Sequence, residues 1–215
     1  MKKMITITTR PTGECLTGRS HWWGAPDLPA DVPYPFVNVG VGEGEEAYPE
    51  PLTFICQIRL SDIAPFDPEG KLPHKGMLYF FAAIDYFLGE DSPLDLPIHN
   101  YSGELIRVIY SEEEDNLEPY EITWEDSDES IFRPAEAIDF GATDGSYDVF
   151  SHGLFGEAIN DVAERYPHLT TLLRIEEEDR WGLRFYDCGT LYFLISPVDL
   201  AHRRFDRTSI ELFFY

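Results

Sequence analysis

The chain has 215 residues, 43% hydrophobic and 14% aromatic, with 40 acidic against 16 basic side chains and a formal net charge of -24. A chain of this size buries a substantial core. Its charge excludes nucleic acid and anionic membranes as partners, since both need a basic face, and reads first as a solubilising surface, with capture of a basic protein partner as the sharper alternative.

Three cysteines, Cys15, Cys56 and Cys188, are far apart and form no CxxC pair, so neither a disulfide framework nor a zinc ribbon is encoded. The threonine-rich stretch Met4 to Thr9 lacks a signal peptide's apolar segment, and Met77 to Ile84, stopped by Asp85, is too short to span a bilayer. The expectation is a cytoplasmic protein.

From Gly13 to Pro51 turn formers dominate, with Trp22, Trp23, Tyr34 and Phe36 among prolines that fix φ and remove donors. An ordered loop pinned by aromatics is expected there. Gly40 to Glu46 has the wrong glycine spacing and too many carboxylates for a phosphate loop, and reads as a flexible surface loop. Leu52 to Ser61 alternates as a half-buried strand, and Ser61 to Ala64 suits one helical turn.

Gly76-Met77-Leu78-Tyr79-Phe80-Phe81 is a run of β-formers without polar alternation, the mark of a strand covered on both faces. It returns as Gly189-Thr190-Leu191-Tyr192-Phe193-Leu194. Strands are also expected at Leu105–Tyr110, Tyr120–Trp124, Leu169–Ile175, Trp181–Tyr186 and Ile210–Tyr215. Leu154, Phe155, Ala158, Ile159, Val162 and Tyr166 fall at helical spacing, which predicts an amphipathic helix over 154–166. Ser196 followed by Pro197 predicts an N-cap opening a short helix.

The two halves share an order of signals. Ser20-His21 with Gly24, the strand through Gln57 and Ile58, and GMLYFF are matched by Ser151-His152 with Gly156, Leu172-Leu173-Arg174-Ile175 and GTLYFL. One compact domain built from two repeats, about 15–125 and 145–215, follows. Taken with Asp187-Cys188-Gly189, these segments resemble the YwqG-like family of bacterial proteins. That resemblance implies an α+β fold of duplicated, mostly antiparallel sheets with few short helices, and it brings no activity, cofactor or catalytic residue.

The chemistry the sequence offers is sparse. No GxSxG elbow, HExxH or Cys/His set is present, and Ile131 stands where a calcium loop beginning at Asp126 needs glycine. No metal and no cofactor are expected. The candidate ligand-binding residues are His21, Trp22, Gln57, His152, Arg174 and Asp187, with the two histidines matched across the repeats and Asp187 the expected partner of a buried Arg174. The leading functional expectation is a cofactor-free protein-interaction module with an acidic surface. The alternative is a hydrolase or small-ligand enzyme whose site lies between the repeats, built from His21, Gln57, His152 and Asp187.

Overall fold

The computed structural model describes residues 4–39, 48–84, 105–143, 151–185 and 188–214. The expected loop at Gly40–Glu46 and the candidate Asp187 lie outside them. In chain order the strands are β1 (Ile5–Pro11), β2 (His21–Trp22), β3 (Phe36–Val39), β4 (Tyr48–Pro51), β5 (Thr53–Arg59), β6 (Met77–Ala82), β7 (Ile106–Ser111), β8 (Glu136–Ala142), β9 (His152–Leu154), β10 (Thr170–Glu176), β11 (Thr190–Ile195) and β12 (Ser209–Phe213). The α-helices are α1 (Leu60–Ile63), α2 (Asn160–Arg165) and α3 (Pro197–Ala201).

The expected α+β class is therefore corrected. Every pairing of described strands is antiparallel, and the longest described helix, α2, has 6 residues. The protein is a β architecture with a few helical turns between strands. The amphipathic helix over 154–166 is not formed: Leu154 ends β9, and Phe155 has φ +59°, a left-handed conformation no α-helix passes through. Its apolar spacing serves packing instead, as Ala158, Ile159, Val162 and Tyr166 cover Tyr192 and Leu194.

Two other expected strands, Tyr120–Trp124 and Trp181–Tyr186, are also absent among the described residues. Tyr120–Trp124 contributes only a single bridge, Thr123 to Ser130, and Trp181 closes a 3-10 turn from Asp179 that Glu178 caps. The proline-rich stretch carries a two-stranded ribbon, β3 with β4, set apart from the main sheet, where Pro49 and Pro51 remove no central ladder bond.

The main sheet runs β12-β11-β10-β9-β1-β8-β2-β5-β6-β7. It reads the same from either end. β2, β5, β6 and β7 correspond to β9, β10, β11 and β12, while the opening strands β1 and β8 lie antiparallel at the centre and are exchanged: β1 pairs with β9 of the second half, and β8 with β2 of the first. Equivalent bulges fall at Ile55 in β5 and Leu172 in β10, and Gln57 faces Tyr79 as Arg174 faces Tyr192.

The sheet curls so that its halves share one interior. Leu78 and Leu191 are both fully buried there, and the rings of Phe80 and Phe193 meet edge to face at 5.5 Å. A second cluster around Tyr34, Phe54, Tyr79 and Phe81 covers the other side of the first half, and Val162 with Tyr192 and Leu194 covers that of the second. This is why β6 and β11 are buried along their whole length. Gly76 opens β6 at φ +94°, and a Cβ there would run into the Ser111 carbonyl; a Cβ on Gly189 would strike the backbone of Phe185.

Candidate functional site

The six residues singled out from sequence separate into three places and one position outside the described residues. His21 and Gln57 are neighbours across the β2–β5 ladder and point away from the shared interior. Between them sits Asp27, 1% exposed, from the Pro-rich loop. The Gln57 amide serves as its clamp: Oε1 accepts from Asp27 N at 2.8 Å, and Nε2 donates to Asp27 Oδ2 at 2.5 Å and to Arg19 O at 2.9 Å. His21 Nδ1 donates to Trp23 O at 2.6 Å, which leaves Nε2 3.7 Å from Asp27 Oδ2. Tyr79 donates to Asp27 O at 2.7 Å. These polar groups hold the loop to the sheet and are occupied with one another.

His152 lies on the opposite face. Its match in the first half is Ser20, because the left-handed pair Trp23 and Phe155, each followed by glycine, fixes the correspondence one residue away from the histidine-to-histidine alignment. A one-residue offset in a strand sends a side chain through the sheet. His152 therefore packs against Trp22 and Trp181, at 5.0 and 5.3 Å between ring centroids. Its Nδ1 accepts from Glu176 N at 3.1 Å, so the ring is neutral with its proton on Nε2, and burial pushes its pKa down to about 4.

Arg174 is buried as expected, and it pairs with Glu176, two residues along the same strand face, to which its Nε donates. The expected pairing of Arg174 with Asp187 lies outside the described residues. Burial raises the Glu176 carboxyl's pKa against the pull of Arg174 and of the Thr190 hydroxyl, which donates to it at 3.0 Å. Cys56 is buried in the shared core, where desolvation pushes its thiol up and away from nucleophilic use. Among the described residues no group of three or more His, Cys, Asp or Glu side chains is placed to hold a metal, and no helix is long and apolar enough to cross a membrane.

A different surface gathers recognition chemistry. From Glu112 to Phe132 the chain has carboxylates and no Lys or Arg. Residues 122–131 fold into a hairpin, with Ile131 N donating to Ile122 O at 3.1 Å and Trp124 N to Glu129 O at 3.0 Å. Tyr120, Ile122 and Phe132 pack its base onto the cluster around Tyr34, with Tyr34–Tyr120 centroids 5.3 Å apart. Trp124 continues the same alternation past the edge of that cluster and is left 58% exposed. Around it Glu118, Glu121, Glu125, Asp126, Asp128 and Glu129 are all exposed, and none forms an ion pair among the described residues. Sequence reading took this stretch for a strand framed by acids; the signal it passed over was a tryptophan amid carboxylates.

A curled antiparallel sheet built twice over, with its polar candidates spent on internal bonds and an acidic, tryptophan-tipped hairpin outside, defines a β-barrel-like class of protein without an assembled reaction centre among the described residues. The chain matches the family model described as a domain of unknown function, DUF1963, over residues 20–143 and 143–212, and it belongs to that family. No curated protein matches it in sequence.

Proposed function

We propose that the protein is a binding module that takes a Lys/Arg-rich segment of another protein on the hairpin 122–131 and the acidic residues leading into it from Glu118, with Trp124 as the apolar anchor. The observation that carries this reading is the 58% exposure of Trp124 on a stretch of exposed carboxylates that form no ion pair among the described residues. Tryptophan is the side chain most enriched among binding hot spots, and clustered charge of one sign accelerates and orients encounter with the other sign. The net charge of -24 supports the same partner chemistry. Within its family the motif order supports a YwqG-like bacterial member, and three widely separated cysteines with no CxxC motif support a cytoplasmic setting.

The hydrolase reading required His21, Gln57, His152 and Asp187 to converge. Only the first two meet among the described residues, with His152 across the sheet, so no observation favours it over the binding module.

Isothermal titration with a lysine- and arginine-rich peptide at low and at physiological salt tests the proposal. Binding that weakens steeply with salt and falls at least tenfold in Trp124→Ala supports it. Equal affinity for the unaltered chain and the variant, or no binding at low salt, overturns it.

A further inference from the structure

Where the segment after β9, α2, the adjoining ends of β10 and β11 and α3 meet, a cleft of about 540 Å³ opens. None of the five candidate residues that the structure describes lines it. Its size is that of a small-molecule site. The floor is apolar and buried, made by Val162, Leu194 and Leu200. Thr171 also lines it and is 5% exposed.

At the lip stand two charges of opposite sign. Lys71, supplied by the first half, has its ammonium 5.1 Å from the centroid of the Phe155 ring, and Glu157 is exposed. The one ion pair of Lys71 among the described residues is with Glu69, at 3.1 Å, and that carboxylate is 73% exposed. Such a surface pair contributes little and exchanges readily for a better-enclosed one.

We propose that this cleft binds an apolar dipeptide. Lys71 takes the C-terminal carboxylate, Glu157 the N-terminal ammonium, the side chains lie on Val162, Leu194 and Leu200, and the Thr171 hydroxyl meets the peptide group. A zwitterion fits the rest of the molecule as well: a net charge of -24 repels a net anion on approach but leaves a neutral zwitterion unhindered. A lone apolar acid would leave Glu157 unmatched, and a lone amine would leave Lys71 so.

Calorimetric titration of the full chain with L-leucyl-L-leucine tests this against its N-acetylated, C-amidated and doubly capped forms. The expected result is binding of the free dipeptide, a loss of at least tenfold on capping either end, Lys71→Gln insensitive to amidation and Glu157→Gln insensitive to acetylation. No binding of the free dipeptide, or equal binding of all four peptides, overturns the proposal. The comparison of peptides uses the unaltered chain, so it decides the matter whatever the variants do.

Discussion

Trp22 and His152 lie ring against ring, 5.0 Å between centroids, although one comes from the first half of the chain and the other from the second. Trp181 completes the group, stacked on Trp22 at 5.4 Å with 14° between planes. A neutral imidazole suits such a setting, and a charged one does not.

The stability of the protein should therefore fall as acid charges His152. Its folded pKa of about 4 is below its ordinary value of 6.5, so between those limits the unfolded chain binds the proton that the folded chain refuses. The stabilisation is complete above pH 6.5 and is lost as pH falls towards 4, by about 3 kcal/mol from this residue. Urea unfolding at a series of pH values, compared between the native chain and His152→Asn, should show that portion of the slope disappear in the variant.

Gln57→Glu should destabilise the fold by about 3 kcal/mol, because it sets a second carboxylate against Asp27 Oδ2, now 2.5 Å from the Gln57 amide. Gln57→Ala should cost less, about 1–3 kcal/mol, as it only removes the bonds. Chemical denaturation midpoints rank the two.

Arg174→Gln puts in the second half the residue that the first half has at the matching position, and it should nonetheless destabilise by about 3 kcal/mol near neutral pH, because Glu176 keeps its buried charge without the guanidinium. The loss should shrink in acid as Glu176 takes up a proton. Adding Glu176→Gln should recover most of the stability, and a double-mutant cycle measures the coupling.

Gly76→Ala should cost at least about 2 kcal/mol. Its φ of +94° is strained for any residue with a Cβ, and the added carbon meets the Ser111 carbonyl. The thermal midpoint checks it, with Gly70→Ala, where a Cβ would meet open space, as the milder control.

The strands legible in the sequence were those covered on both faces. β5, β6, β10 and β11 announce themselves as apolar runs because two clusters share each of them, and Ser196 with Pro197 announced α3 by its cap, which accepts from Asp199 N at 3.0 Å. β1 is not legible although Ile5 and Ile7 alternate with Thr6 and Thr8, since a threonine-rich strand has little apolar weight. β9 is 3 residues long, too short for any period, and its Leu154 was absorbed into a helical pattern that the left-handed Phe155 forbids. The histidine correspondence failed for a related reason. Residue identity aligned His21 with His152, whereas backbone conformation aligns Trp23 with Phe155, and conformation decides which face a side chain takes. The exposed Trp124 was hidden by its own alternation, which marks it as inward until the extent of the core beneath is known.

Tryptophan fluorescence tests the proposed function most directly. Of the four tryptophans, Trp22, Trp23 and Trp181 are at most 9% exposed and Trp124 is 58% exposed, so acrylamide quenches Trp124 first. A lysine- and arginine-rich peptide added at low salt should shield that fraction from acrylamide, with the shielding reversed by physiological salt. Quenching unchanged by the peptide at low salt would contradict the assignment of this hairpin as the binding surface.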